Sequence, residues 1–344
     1  MATALINQFE GIYIALYSAY DENGEVDRER ARQLARYYAS TGVKGLYVCG
    51  SSGEGMLQSV EERKRMLEAV MEEVKGELTV IVHVGANATR DSVELSRHAE
   101  QWGADAISAV PSIYYRLSEA AVENHWQQMI DSTSLPFIIY NIPQTTGFNL
   151  SLNLLSRMAA QEKVIGVKMS GESTFDLQQF KVAGGDDFLV FNGPDEQFLA
   201  GRIMGADGGI GGTYGVMPEL FCALNQLFKD GHIQEAQALQ TTINGLIKKL
   251  LGYPSLYGAC KYVLGLRGIQ TGQPRLPLLP VREEDHASLA VLNEEIIAAI
   301  ARYGMAAGGA EGAKGAERAE GAEGAEGAEG AKGAERAEGD GRDA

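Results

Sequence analysis

The sequence contains few of the residues that mark disulfide-stabilised or metal-binding proteins. It has three cysteines, Cys49, Cys222 and Cys260, and five histidines in 344 residues. An odd number of widely spaced cysteines fits neither a disulfide framework nor a metal knuckle, and the scattered histidines lack the spacing of metal ligands. These scarcities argue against a metal-dependent mechanism. They also favour a reducing compartment, the cytoplasm.

Long apolar runs and an excess of basic charge are missing as well. No stretch of about 18 apolar residues exists, and the N-terminus lacks the basic-then-apolar pattern of a signal peptide. The 30 basic and 46 acidic residues give a net charge of −16. Such an acidic protein is poorly suited to bind nucleic acid or an anionic membrane. We therefore expect neither of them as a partner.

The last part of the chain, residues 306–344, has no aromatic residue, leucine, isoleucine, valine or proline. It repeats Gly-Ala-Glu and Gly-Ala-Lys, and its ten acidic and five basic residues contribute −5 to the net charge, which leaves −11 for the rest. This composition cannot bury enough apolar surface to offset the entropy of ordering. We predict a disordered tail over residues 306–344.

Short β-branched, apolar runs recur along the remaining 305 residues. Most are continuous rather than alternating, which is typical of strands buried on both faces. The runs predict eight strands, over residues 12–16, 45–49, 79–84, 106–110, 136–141, 164–169, 188–192 and 208–211.

Helical patterns separate these runs. One has apolar residues at helical spacing from Leu67 to Val74, with a capping-box signature at Ser59 and Glu62. The other predicted helices span residues 28–40, 89–101, 118–131, 152–160, 175–182 and 196–204, and then 219–229, 234–251, 256–266 and 284–301.

Eight strand–helix units in a row predict an α/β fold of the (β/α)₈ TIM-barrel class. We assign residues 1–217 to the barrel and residues 218–305 to an appended C-terminal helical region. The alternative is an open doubly wound sheet. That fold normally carries a glycine-rich turn after its first strand, and "LYSAYDENGEVD" at residues 16–27 is not one.

Reactive groups of such a barrel lie at the C-terminal ends of its strands. The sixth strand ends in "GVKMS", which places Lys168 in an apolar run. Burial disfavours the charged form of a lysine, and a neutral amine can form a Schiff base with a ketone. The alternative is a lysine that extends to the rim or pairs with an acid.

The other strand ends leave similar alternatives open. "GSSGE" at residues 50–54 could bind an anion or could only cap a helix. Tyr140 could be a general acid/base or a packed side chain. Asp195 and Glu196 could hydrogen-bond a polyhydroxylated substrate or could only favour a helix N-terminus. "GGIGGTYG" at residues 208–215 is a weak candidate for a phosphate grip.

Taken together, these segments resemble the pyruvate-dependent class I aldolase family of N-acetylneuraminate lyase and dihydrodipicolinate synthase. The resemblance covers roughly residues 8–303 and is closer to the lyase branch. It rests on separate segments that lie in the same order as in the family: "GLYVCGSSGE" (45–54), "YNIP" (140–143), "GVKMSG" (166–171), "NGPDE" (192–196) and "GADGGIGGTYG" (205–215).

The resemblance implies a role for each matching residue. Lys168 would form the imine, and Tyr140 would transfer protons. Tyr114 would enter the site of a neighbouring subunit, which implies an oligomer, usually a tetramer. The positions that would bind substrate are Ser51 and Ser52 for the carboxylate, with a link to Tyr140, and Ser170, Gly193, Asp195, Glu196 and Gly212 for the sugar chain.

Three departures from the family pattern concern the second substrate. Thr145 stands where the synthase branch has an arginine for the carboxylate of aspartate semialdehyde, and an uncharged threonine cannot replace a bidentate arginine. Gly212 replaces a serine of the lyase motif, and "SAY" at residues 18–20 replaces Thr-Pro-Phe.

The expected activity is therefore a Schiff-base lyase, without metal or organic cofactor, that cleaves N-acetylneuraminate to N-acetylmannosamine and pyruvate. The first alternative within the same chemistry is dihydrodipicolinate synthase or another pyruvate-dependent sugar-acid aldolase. The alternative from another class is a non-catalytic barrel that binds a metabolite.

Overall fold

Eight short parallel strands form the centre of the fold in a computed structural model, which describes residues 2–304. They are β1 Gly11–Ala15, β2 Gly45–Val48, β3 Thr79–His83, β4 Ala106–Ala109, β5 Phe137–Asn141, β6 Val164–Met169, β7 Leu189–Asn192 and β8 Gly208–Gly211. Each strand pairs with its neighbours in the chain, and β1 also pairs with β8. The sheet is thus a closed barrel. This confirms the predicted (β/α)₈ class and excludes the open sheet.

Helices follow the strands in the order that the sequence predicts. They are α1 Ala2–Phe9, α2 Arg28–Ala39, α3 Val60–Val74, α4 Thr89–Trp102, α5 Glu119–Asp131, α6 Pro143–Thr146, α7 Leu152–Ala159, α8 Thr174–Gly184, α9 Phe198–Ile203, α10 Pro218–Lys229, α11 Ile233–Leu250, α12 Leu256–Leu266 and α13 His286–Tyr303. The capping box of Ser59 and Glu62 at the start of α3 is present. The short helices α1 and α6 were not predicted, and α9 begins later than predicted because residues 195–197 form a 3₁₀ turn.

The continuous apolar strands are buried on both faces. Outward residues such as Ile12 and Ile14 pack with the surrounding helices, whereas Tyr13 and Ala15 join a separate cluster inside the barrel. Phe9, from α1, belongs to this inner cluster. Because successive side chains of a strand point to opposite faces, the strands separate a core inside the barrel from a core between the barrel and the helices.

The chain continues after β8 into the four helices α10–α13, and the assigned end of the barrel region at residue 217 directly precedes α10. Helix α11 contacts the turn at residues 195–197, and α12 contacts the turn at residues 213–216. These helices therefore reach the same end of the barrel as the candidate site. The predicted disorder of residues 306–344 concerns positions outside the described ones.

No helix of the described residues is long and apolar enough to span a membrane. Cys49, Cys222 and Cys260 are all free thiols, and Cys49 and Cys260 are buried.

Candidate active site

Lys168 lies near the end of β6, and only 4% of the residue is exposed. Its ammonium is 4.1 Å from the ring centroid of Tyr140 and 4.6 Å from that of Tyr47. β6 pairs Lys168 with Tyr140 on β5 and with Phe191 on β7. The amine is thus held against two aromatic rings inside the barrel, where cation–π contact replaces some of the lost hydration. It does not extend to the rim.

Tyr140 combines burial with several polar contacts. Its hydroxyl oxygen is 3.3 Å from Oγ of Ser51, and only 2% of the residue is exposed. Burial raises the pKa of Tyr140, but the nearby Lys168 cation and hydrogen bonds with Ser51, Lys168 and Ser170 outweigh this effect, so the pKa lies below its usual value. A phenol in such a place is suited to exchange a proton with a bound substrate.

The turn at residues 50–53 connects β2 to the rest of the site. It lies between two non-glycine residues with left-handed backbones, Cys49 at φ +59° and Glu54 at φ +55°. Such conformations cost on the order of 1–3 kcal/mol each, so surrounding contacts must hold them. The turn presents the buried Ser52 and the Ser51 hydroxyl to the cavity.

Asp195 and Glu196 face the same cavity from the turn after β7. Oδ2 of Asp195 accepts hydrogen bonds from the backbone N–H of Thr213 at 2.7 Å and from its hydroxyl at 2.6 Å. Burial raises the pKa of Asp195 to about 6, and the Thr213 hydrogen bonds and Lys168 reduce this shift. The site thus contains a buried carboxylate whose ionisation lies near neutral pH.

Gly193 and Gly212 are needed for close packing around the cavity. A Cβ on Gly193 would overlap Oγ of Ser170, and one on Gly212 would lie 2.7 Å from Oγ of Ser52. The carbonyl of Gly212 accepts a hydrogen bond from Tyr17. The glycine that departs from the lyase motif therefore lets the Ser52 hydroxyl lie close to the backbone of residue 212.

One cavity of about 320 Å³ at the C-terminal end of the barrel brings nearly all of the predicted positions together. The predicted residues that line it are Ser51, Ser52, Tyr140, Lys168, Ser170, Gly193, Asp195, Glu196 and Gly212. The predicted residues thus bring an amine, a phenol, small hydroxyls and two carboxylates into one cavity. This set can form an imine, move a proton and hydrogen-bond a polar chain.

Tyr114 does not join this cavity within one chain. It is 89% exposed, adopts φ +82°, and packs its ring against Tyr115, which is also exposed. A bulky residue with a left-handed backbone and an exposed ring is unusual.

The sequence reasoning missed four polar residues that line the cavity: Gln144, Glu172, Thr213 and Tyr257. Thr213 holds Asp195 and follows the predicted strand end by two residues, so a search one turn further along the chain could have found it. Tyr257 lines the cavity from α12, far from any strand end. Burial raises its pKa to about 12, and a hydrogen bond with Ser52 opposes this shift. Nothing in the sequence pattern points to Tyr257.

Replacing Asp195 by Asn should increase stability more at pH 8 than at pH 4.5. The folded-state pKa of about 6 exceeds the 3.8 of an ordinary aspartate, so the folded state binds more protons between these values and loses stability as the pH rises through them. The ionised carboxylate then costs on the order of 2–3 kcal/mol. Urea unfolding of both proteins at both pH values measures the difference.

The exposed Asp187→Asn is the matched control for this comparison. It should change the unfolding free energy equally at the two pH values. An Asp195→Asn effect that is the same at pH 4.5 and pH 8 would contradict a raised pKa.

Within residues 2–304, no cluster of three or more His, Cys, Asp or Glu side chains is arranged to hold a metal ion. The interior His83 is instead occupied by backbone contacts: its Nδ1 is 3.1 Å from the Cys49 carbonyl, and its Nε2 is 3.3 Å from the N–H of Val110.

The fold and the lysine-containing cavity define a class of (β/α)₈ enzymes with an amine at the end of the sixth strand, and comparison with known proteins specifies the family. The model of the dihydrodipicolinate synthetase family matches residues 8–296. The chain belongs to this family.

Several similar proteins are named N-acetylneuraminate lyases. An N-acetylneuraminate lyase of Mediterraneibacter gnavus is 44% identical over 285 residues, covering 81% of this chain and 90% of the relative. One of Rhizobium meliloti is 40% identical, covering 86% and 96%. The structure of a catalytic lysine mutant of the Ruminococcus gnavus sialic acid aldolase has a TM-score of 0.85 at 42% identity, covering 86% and 98%.

Proposed function

We propose that this protein is a Schiff-base-forming aldolase that cleaves N-acetylneuraminate to N-acetylmannosamine and pyruvate. The observation that carries this conclusion is the buried amine of Lys168, 4.1 Å from the ring centroid of Tyr140 in a cavity rich in hydroxyls and carboxylates. The similar aldolase of Ruminococcus gnavus also has a catalytic lysine, and similar proteins are named N-acetylneuraminate lyases.

The reaction begins when Nζ of Lys168 attacks the C2 ketone of the open-chain sugar acid. Loss of water gives a protonated imine, which is an electron sink. Tyr140 takes the proton of the C4 hydroxyl while the C3–C4 bond breaks, and the bonding electrons pass into the imine to form an enamine. N-acetylmannosamine leaves. Protonation of the enamine and addition of water release pyruvate and restore the amine, so these steps require no metal or organic cofactor.

Ser51 and Ser52 are the proposed ligands of the substrate carboxylate. Both hydroxyls line the cavity that contains Lys168, and the carboxylate lies one bond from the carbon that the amine attacks. The 3.3 Å contact between Ser51 and Tyr140 supports the further proposal that Ser51 connects carboxylate binding to the proton-transferring phenol.

The sugar chain would extend from Lys168 toward the loops after β6, β7 and β8. Asp195 and Glu196 would accept hydrogen bonds from its hydroxyls, and Ser170 and the backbone of Gly193 would add polar contacts. Gly212 has no side chain with which to contact the substrate. A neutral, polyhydroxylated aldehyde fits this surface better than a second anion, because the carboxylates of Asp195 and Glu196 would repel an anion.

Thr145 argues against the synthase branch as the main activity. It is exposed, its hydroxyl contacts the carbonyl of Ile142 at 3.3 Å, and it is absent from the lining of the cavity. No bidentate cation is therefore supplied from this position for the carboxylate of aspartate semialdehyde.

Borohydride trapping tests the proposed function in one experiment. The protein is incubated with N-acetylneuraminate or with pyruvate, reduced, and mapped by mass spectrometry. We expect a pyruvate-sized adduct on Lys168 in both samples.

Two other outcomes would overturn parts of the proposal. An adduct from pyruvate alone would retain the aldolase chemistry and reject N-acetylneuraminate as the substrate. No adduct in either sample would reject the Schiff-base mechanism and favour a metabolite-binding barrel.

Tyr114 is proposed to complete the proton relay in a neighbouring subunit of a homotetramer. Its exposure and its left-handed backbone support a residue that is held for contact outside its own chain. Tyr114→Phe should lower kcat by about 10²-fold through loss of the hydroxyl. Tyr115→Phe is the matched control and should stay within about threefold of the wild type.

Hybrid oligomers test whether Tyr114 acts between subunits. Lys168→Ala and Tyr114→Phe chains, coexpressed with different tags and purified as mixed oligomers, should regain activity. In these oligomers, a Lys168→Ala chain can donate its Tyr114 to a site that retains Lys168. Hybrids with no more activity than the separate variants would place Tyr114 outside the reaction.

Deletion of residues 306–344 should leave kcat and KM within about twofold of the full chain, because all proposed site residues lie within residues 51–257. Steady-state kinetics of both forms measure this, and a loss of tenfold or more would contradict it.

We also propose a cytoplasmic location, which the three free cysteines support.

A further inference from the structure

A fully buried ion pair lies behind the turn that carries Ser51 and Ser52. Nζ of Lys261, on α12, is 2.5 Å from Oε1 of Glu54, and the two side chains are 1% and 0% exposed. Two charges removed from water are costly unless their remaining hydrogen-bonding positions are satisfied. The mechanism above uses neither of them.

Contacts around the pair satisfy these positions. The second oxygen of Glu54 accepts a hydrogen bond from the backbone N–H of Arg275 at 2.7 Å. The Lys261 ammonium lies 4.5 Å from the ring centroid of Tyr20 and 3.4 Å from the carbonyl of Gln273. The pair is thus built into the packing between α12, the segment around residue 275 and the barrel.

Glu54 also directly follows the turn at residues 50–53 and is one of the two residues with left-handed backbones that flank it, at φ +55°. Its backbone N–H donates to the carbonyl of Ser51 at 3.0 Å. On the other side, the Gly53 carbonyl accepts hydrogen bonds from the Ser18 hydroxyl and from the Gln58 amide. Because Glu54 is bonded to this turn, the contacts that hold its carboxylate also restrict the positions of Ser51 and Ser52.

We propose that Glu54 and Lys261 are positioning residues for substrate binding. Their ion pair anchors the strained turn to α12 and so holds the Ser51 and Ser52 hydroxyls where they meet the carboxylate of the keto acid. This inference rests on the proposed function, because it assigns those hydroxyls to a carboxylate. It also explains how a C-terminal helix contributes to binding at a strand end of the barrel.

The test is Lys261→Met, which leaves the Glu54 carboxylate without its cation. Three quantities are measured on the folded protein: the pyruvate concentration that gives half-maximal borohydride-trapped adduct, and kcat and KM for N-acetylneuraminate. We expect both the half-saturating pyruvate concentration and KM to rise at least about tenfold, while kcat falls less than about threefold.

Lys181→Met is the matched control. Lys181 is also mostly buried and pairs with Asp207 at 3.1 Å, but Asp207 directly precedes β8, at the opposite end of the barrel from the cavity. The control should lower the thermal midpoint and leave the half-saturating pyruvate concentration within about twofold of the wild type. If the pair of Lys261 and Glu54 only stabilised the fold, Lys261→Met would likewise lower the thermal midpoint and leave the half-saturating pyruvate concentration within about twofold of the wild type.

Glu54→Gln serves where Lys261→Met does not fold, because it preserves the side-chain volume and an acceptor for the Arg275 N–H. It should raise the half-saturating pyruvate concentration at least about threefold. An unchanged value in the folded variant would overturn the proposal. Wild-type protein that forms no pyruvate adduct would instead overturn the proposed function, so the two failures are distinguishable.

Discussion

Replacing Lys168 by Ala should abolish turnover, with a loss in kcat on the order of 10⁴-fold or more. The methyl group cannot form the imine, and without the imine no electron sink exists for the C3–C4 bond. The variant should also yield no borohydride-trapped adduct with pyruvate or with N-acetylneuraminate. Steady-state kinetics and peptide mapping measure the two effects separately.

Lys168→Arg is the matched control for charge. The guanidinium remains a cation that can stack on the rings of Tyr47 and Tyr140, but it stays protonated and is not a nucleophile. The Lys168→Arg variant should therefore be as inactive as the alanine variant. Activity near that of the wild type in either variant would end the proposal that Lys168 forms the imine.

Replacing Tyr140 by Phe should lower kcat by about 10²- to 10⁴-fold, because the acceptor of the C4 hydroxyl proton is lost. Formation of the pyruvate imine should persist, since Lys168 keeps its amine and the phenyl ring keeps its contact with the ammonium. The combination of a trapped adduct with slow cleavage is specific to the loss of a proton-transfer group. Single-turnover cleavage together with borohydride trapping measures both.

Tyr47→Phe is the matched control, because the Tyr47 ring also contacts the Lys168 ammonium but its hydroxyl donates to Oγ of Ser108 at 2.9 Å. It should stay within about tenfold of the wild type. An unchanged cleavage rate in Tyr140→Phe would remove Tyr140 from the reaction.

The pH profile gives a second measure of Tyr140. Its pKa lies below the usual value, so the proton-accepting phenolate becomes available at lower pH than an ordinary tyrosine would allow. In Ser51→Ala, one of the hydrogen bonds that lower this pKa is lost. The pH range over which the rate rises should therefore move to higher pH.

The fold could be predicted from the sequence because each βα unit has its own local signals. The continuous apolar runs became strands because both faces of a barrel strand are buried, and Ser59 with Glu62 starts α3 as its capping box predicts. Helix α6 escaped prediction because its four residues are too few to show a period, and α1 at the start of the chain was not predicted either. Glu196 was assigned to a helix, but the backbone there forms a 3₁₀ turn.

The candidate site could be predicted in part, because in a parallel barrel all strand ends meet at one edge. Lys168, Tyr140 and Asp195 each follow or end an apolar run, and their meeting in one cavity follows from the order of the strands. Tyr257 could not be predicted in this way, since its place depends on how α12 packs on the barrel.

By itself, the sequence determined the alternation of strands and helices, the chemical groups at the strand ends and the resemblance to an aldolase family. These depend on local periodicity and on residue type. Only the tertiary structure decided that the Lys168 amine lies between two aromatic rings, that burial moves the pKa of Asp195 to about 6, and that Lys261 anchors Glu54. Those properties depend on distances and desolvation among residues up to 207 positions apart, which arise only when the barrel closes and the C-terminal helices pack against it.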